Sequence, residues 1–409
     1  MENNKISAKT QNTFTNIIAL RWWLGSLFVL LTAIFIQMLA SFYPQEVENY
    51  YSRGIYPYIG QTLSLLNRLV WFSLAEFLLG LLSIGVIAWA IWQLRQLYQN
   101  HLTRKELLVK TLWYFISVFS IGLMFFLLLW GLNYQKQPLV KNLNLVSRQP
   151  NTTELIEVCQ VFISATNQSY KEAIGNTNDL INNQTATKQV ETKASKLPVD
   201  WIKLNNIVEE SFQKEVLLKN ITSGSYGPAK AVYFSGLMSQ FGISGIFIPL
   251  TGEPNVNIAQ TDAPIPFTLA HEKAHQRGFA LEDEANFLAF LVCIKSENAY
   301  CRYSGYLMAT TYLLSNLRLV APEKYQELYK MLNIGPKSDL KAIYKFWAQY
   351  QGKLSETSEK INNAYLKANR VRSGIKNYNQ VVDLIISYYF TYLSSKHTDD
   401  LDTPIGDHP

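Results

Sequence analysis

Charge is scarce in this chain. Only 17% of its 409 residues are Asp, Glu, Lys or Arg, against roughly a quarter in an average globular domain. With 48% of residues hydrophobic, the shortage does not signal disorder. Cysteine is scarcer still: three residues exclude a disulfide scaffold and any four-thiolate zinc site. No run of basic residues exists either, so the net charge of +6 does not form a nucleic-acid face. A small, scattered positive excess suits a protein beside anionic lipid.

What the chain does contain is long uncharged stretches. Leu24 to Tyr43, Phe77 to Leu94 and Thr111 to Leu132 carry no charge. Each approaches or exceeds the ~20 residues that cross a bilayer. Trp22, Trp71, Trp92, Tyr98, Trp130 and Tyr134 flank them as interfacial aromatics should. We therefore expect a membrane unit over residues 1–135, with spans at about 20–43, 70–94 and 111–133. The first stretch exceeds a signal-peptide core and lacks a small-x-small site after it, so it reads as an uncleaved anchor. Lys5, Lys9 and Arg21 precede the first span, and Arg95, Arg104, Lys105 and Lys110 lie between the second and third. The loop between the first two offers only Arg53 and Arg68. Positive flanks face the cytoplasm, which places everything after residue 135 outside it.

That remainder reads as a mainly α-helical domain over 136–393, with an acidic tail over 394–409. Residues 175–196 are rich in Asn, Thr and Lys and read as a solvated insertion. The runs Ala231–Phe234, Gly245–Ile248 and Asn255–Ile258 are rich in β-formers, and the turn Thr251-Gly252-Glu253-Pro254 separates the last two. They predict a small antiparallel sheet.

The chemistry concentrates just after it. Pro264-Ile265-Pro266 can open a helix, and one turn on comes His271-Glu272-Lys273-Ala274-His275, an HExxH sequence. On a helix, positions i and i+4 share a face, so both imidazoles can reach one metal ion. Glu272, beside them, can take a proton from water that the ion activates. Gly278 suits the helix stop. HExxH alone is a weak pattern, but only five histidines exist and two fall at this spacing. His101 lies in the loop assigned to the cytoplasm, while His397 and His408 lie in the tail. A third ligand must then be acidic, giving a His₂Glu-type catalytic zinc site. Glu282, Asp283 and Glu284 are the candidates. Glu282 is favoured because Asn286, four residues on, can orient it from the same helix face. Glu284 is the alternative, with Glu253 and Asp262 the next acids. Leu281 stands where a metzincin would have its third histidine.

Other residues read more plainly. Tyr303, Tyr306, Tyr365 and Tyr378 carry phenols able to stabilise an oxyanion, but the chain has 24 tyrosines and none stands out. Cys293 and Cys301 lie too far apart on one helix to bond, whereas a turn near Asn298 would permit a disulfide. Cys159 reads as a small core residue, and Glu76 as a cap or a snorkelling acid at a span end.

The stretch GIFIPLTGEPNVN, then PFTLAHEKAHQRGFALEDEANFLAFLVC and RYSGYL, resembles an uncharacterised family of bacterial membrane proteins. In that family a few N-terminal spans precede an HExxHQxG…EANF domain. Trp347, Asn363 to Lys367 and Ser373-Gly374 to Tyr378 extend the resemblance, while Pro254 departs from it. More distantly, Glu282 to Asn286 is similar to the ExxxD or ExxAN helix of gluzincin metallopeptidases, which include membrane-bound heat-shock and prenyl-protein proteases. That likeness implies Glu282 as third zinc ligand and Gly245–Ile248 as a strand that pairs with extended peptide. The expectation is a membrane-anchored zinc metallopeptidase acting on a peptide or protein. Its rivals are a non-catalytic zinc-binding envelope receptor or scaffold, and a zinc hydrolase of a cell-wall amide.

Overall fold

A computed structural model of the chain describes residues 22–99, 103–146, 150–178, 200–222, 224–371, 373–374 and 380–394. His101, His397, His408 and Tyr378, most of the 175–196 insertion, and nearly all of the tail lie outside the described residues.

Three helices are long and apolar enough to cross a membrane: α1 (Trp22–Ala40), α3 (Leu74–Tyr98) and α4 (Arg104–Leu129). Between the first two, a wide-turned π-helix (Val47–Ile55) leads into α2 (Tyr56–Arg68). α3 and α4 begin ahead of their apolar stretches because their caps, not their hydrophobicity, decide where they start. The Ser73 hydroxyl accepts the Glu76 N–H at the head of α3. Thr103 and Glu106 cap each other's backbone at the head of α4, well before Thr111. Ser26 and Ser117 meet at 2.8 Å between α1 and α4. Most remaining side chains on these helices are apolar and exposed, as helices facing lipid require.

The rest is mainly helical: α5 (Thr152–Asn178), α6 (Trp201–Lys214), α7 (Ser235–Gln240), α8 (Ile265–Gln276), α9 (Glu282–Ile294), α10 (Ala299–Val320), α11 (Pro322–Met331), α12 (Ile334–Ala348), α13 (Lys353–Ala368) and α14 (Val381–Tyr388). From Ala285 to Ile294, α9 is apolar all round apart from Asn286, and every residue of it is buried. A helix with no polar face belongs in the centre of a core. It packs between α8, α10 and α14.

Strands β1 (Lys230–Ala231), β2 (Gly245–Ile248) and β3 (Glu253–Val256) form one sheet in the order β1-β3-β2. The sheet is mixed rather than antiparallel: β2 and β3 turn back on each other, but β1 runs parallel to β3. The chain passes through α7 and β2 before it returns beside β1, which lets the two strands share a direction. Tyr233 and Phe234, expected to extend β1, turn away because the Glu76 carboxylate accepts both their N–H groups at 2.9 Å. Glu76 therefore neither snorkels nor caps its own helix with its carboxylate. Glu253 reciprocates from β3, accepting the N–H groups of Leu74 and Ala75 at 3.0 and 2.7 Å at the head of α3.

All three span helices meet the domain at one end. Gln37 near the end of α1 donates to the Ala368 carbonyl at 3.2 Å. The head of α3 is clasped by Glu253, and Trp130, just past α4, donates its indole N–H to the His275 carbonyl at 3.0 Å. The segment between α1 and α3 joins the same packing. Tyr56 donates its hydroxyl to the Gln276 carbonyl at 2.8 Å, and Ser64 accepts the Gly227 N–H at 2.9 Å. Residues 44–73, grouped with the membrane unit on sequence, thus help to build the domain assigned to 136–393.

Candidate metal centre

The proline-rich entry starts α8, and Ser304 on α10 takes the free N–H of Phe267 in its first turn. At the far end Gly278 adopts φ +85°, a left-handed conformation that favours glycine. A Cβ there would also press on the Tyr56 ring at 2.8 Å. The turn brings the Phe279 carbonyl to 2.6 Å from His275 Nδ1. A carbonyl can only accept, so Nδ1 carries the proton and the Nε2 lone pair is left to bind.

The two Nε2 atoms of His271 and His275 lie 3.0 Å apart. Glu282 Oε2, from the first turn of α9, is 3.2 Å from the first and 3.5 Å from the second. Ligands at ~2.0–2.1 Å around a tetrahedral ion stand about 3.3 Å apart. The triangle fits that spacing, and among the described residues it is the group of three that could hold a metal ion. Electrostatics tie the three together. Burial works against charge on His275, but Glu282 overcomes it and holds the ring above its usual range. Burial likewise opposes the Glu282 carboxylate, and the two imidazoles hold it well below the usual range.

Glu272 stands beside the triangle without belonging to it. Its side chain is buried and Oε2 has no hydrogen-bond partner among the described residues. Burial pushes its carboxyl up to about 7, against the pull of His271 and His275. It lies against the edge strand: a Cβ on Gly245 would sit 2.4 Å from Glu272 Oε1. Behind α8, Lys273 and Arg277 both reach Glu209 Oε2 of α6, at 2.9 and 2.7 Å, which fixes the helix from its other side.

The remaining candidates go elsewhere. Glu284 is buried and accepts the Leu139 N–H at 2.6 Å, with Lys136 as its nearby cation. Asp283 accepts the Glu284 N–H. Glu253 is committed to the head of α3, and Asp262 lies in the turn before α8. Asn286 accepts the Tyr312 hydroxyl at 3.2 Å, while its Nδ2 is buried with no partner among the described residues. Of the tyrosines, Tyr303 donates to Asp339 and Tyr306 packs on Phe162, both away from the triangle. Tyr365 lies near Glu282, as does Tyr312, which the sequence did not single out. Trp130 was also missed as a neighbour of the site, since a tryptophan at a span end reads first as an interfacial anchor. The chain does turn between Cys293 and Cys301, but all three cysteines are buried free thiols.

Residues 51–386 match the family described as "Protein of unknown function (DUF3810)". The chain belongs to this family. The matched region begins inside the π-helix after α1 and covers α3, α4 and the whole triangle. Its description names no activity. No curated protein and no solved structure matches the chain.

Proposed function

We propose that the protein is a membrane-anchored zinc metallopeptidase that cuts peptide or protein substrates at the outer face of the cytoplasmic membrane. His271, His275 and Glu282 would hold the ion, and two imidazoles with one carboxylate leave its fourth position open, as catalytic zinc requires. Bound there, zinc supplies Lewis acidity, polarising the scissile carbonyl and acidifying the attacking water. Glu272 accepts the proton of that water and returns it to the departing amine. Glu272 is the observation that carries the reading. A structural zinc site has no use for a buried carboxylate that stands beside the ligands without being one, held by the Phe247 backbone and with Oε2 left without a partner among the described residues. β2, at the edge of the sheet and against Glu272, offers backbone for an extended peptide to pair with.

The test is a comparison of envelope proteomes between cells carrying the wild-type chain and cells carrying Glu272→Gln. A set of new N-termini present only with the wild-type chain is expected. Indistinguishable proteomes, with both chains present and zinc-loaded, would overturn the peptidase reading.

Gly245→Ala should separate binding from chemistry. The added Cβ must displace the Glu272 carboxylate, since the three atoms nearest to it all belong to that side chain. Zinc content should stay at the wild-type level, and turnover should fall by ~10²-fold, the usual result of a misplacement near 1 Å. Loss of zinc instead would show that the strand supports the ligands themselves.

The orientation follows from the positive flanks, and the meeting of all three spans with the domain at one end supports an odd number of crossings. A reporter fused after Pro150 should be active only outside the cytoplasm, and one fused after Asn100 only inside. Reporters active on the same side would overturn the span count.

A further inference from the structure

We propose that this centre takes its substrate from the bilayer itself: a polypeptide anchored in the same membrane, cut within a few residues of the membrane surface. The proposal rests on the metallopeptidase reading and adds the substrate class to it.

The depth of the site carries the argument. From Thr111 to Leu129, α4 holds no charged residue, about 29 Å of helix and so the thickness of a hydrocarbon core. Trp130 therefore stands at the boundary of the core. It is also the residue that donates to the His275 carbonyl, with its ring 6.1 Å from the imidazole. One metal ligand is thus a single side-chain contact from the lipid boundary. The second span gives the same level independently. Phe77 to Leu94 is uncharged, so Glu76 marks its boundary, and Glu76 holds the backbone of Tyr233 and Phe234. The sheet that borders Glu272 is pinned to that height from both sides, since Glu253 of β3 caps the head of α3.

The surface at this level is made for lipid. Tyr233, Phe234 and Leu237 are 86%, 61% and 57% exposed, and Leu69 and Trp71, just before α3, are 84% and 92% exposed. A cluster of apolar and aromatic side chains beside a span end belongs in the interfacial layer. A soluble peptide would have to reach a site seated this low. A membrane-anchored one presents its juxtamembrane segment there at an effective concentration of about millimolar order.

Two measurements on the full chain in phosphatidylethanolamine–phosphatidylglycerol vesicles test this. In the first, Leu237→Cys is labelled with a nitroxide, the three native thiols being buried. The label should be relaxed more by lipid-soluble oxygen than by a water-soluble nickel chelate, and the reverse would overturn the proposal without any reference to catalysis. In the second, a randomised peptide library is presented either on a lipid anchor in the vesicles or free in solution. The anchored library should be cut at least about tenfold faster. Its cuts should fall within about five residues of the anchor, ~17 Å of extended chain. Equal rates, or cuts scattered along the peptide, would overturn the membrane-delivered substrate while leaving the peptidase standing. No cutting of either library by zinc-loaded protein would overturn the peptidase reading, and this proposal with it.

Discussion

Purified from membranes without chelator, the protein should carry about one zinc ion per chain, and His271→Ala or His275→Ala should carry almost none. The triangle of His271 Nε2, His275 Nε2 and Glu282 Oε2 spans 3.0 to 3.5 Å, and removing either imidazole leaves two donors. Glu272→Gln should behave differently. It is nearly isosteric, and the carboxyl it replaces is one that burial already drives towards neutrality. Zinc content should therefore hold, while turnover should fall by about 10²–10⁴-fold for want of a base. Metal analysis of the three variants, paired with the envelope proteome, reads all of this at once. Full zinc loading in both histidine variants would remove the site.

The second large effect distinguishes two glutamates that are two residues apart. Glu282→Gln should weaken zinc binding by more than the ~10–100-fold that loss of a merely orienting residue causes. Glu284→Gln should leave zinc binding close to wild type, because that carboxylate faces Leu139 and Lys136 instead. It should act on stability, by about 0.5–1.5 kcal/mol for an ordinary buried hydrogen bond, since burial pushes the Glu284 carboxyl up to about 7. Chelator competition measures the first quantity and thermal unfolding in detergent the second. The opposite ordering in the competition would move the third ligand to Glu284. Asn286→Ala belongs between them, since its amide holds the Tyr312 hydroxyl beside Glu282. A loss of about tenfold in affinity or activity is expected there.

What the sequence made legible was whatever a short window encodes. Uncharged stretches locate the three helices that are long and apolar enough to cross a membrane. His271, Glu272 and His275 stand out because one helical turn brings them to a single face. Glu282 was favoured over Glu284 by the helical spacing to Asn286, but what separates the two in the fold comes from His271 in one case and Leu139 in the other. Long-range contacts were silent. Tyr233 and Phe234 look like strand, and only Glu76, 157 positions earlier, turns them away. The direction of β1 depends on how the chain returns, which no local pattern records. Trp130 and Tyr312 reach the site across 145 and 26 positions respectively, and neither has a spacing that marks it. The second and third helices were read as starting at about 70 and 111 because apolar content measures the hydrocarbon core, whereas Ser73 and Thr103 fix the true starts at 74 and 104.

The clasp between Glu253 and the head of α3, with Trp130 and Tyr56 against α8, bears on how the protein is made. The ribosome releases both later spans long before Glu253 or His275 exists. The N-terminal helices are therefore already made when the half that carries His271, His275 and Glu282 emerges, and α8 packs against them. On the proposed metallopeptidase reading, activity would thereby be coupled to successful insertion: a chain that failed to thread the bilayer would never assemble a working centre in the wrong compartment. Residues 136–393 produced alone should accordingly fail to retain zinc, and a folded, zinc-loaded fragment would refute the coupling. On the same reading, this dependence would confine the proposed peptidase in space, since clipping it from its anchors would dismantle the site that the released piece would have carried away.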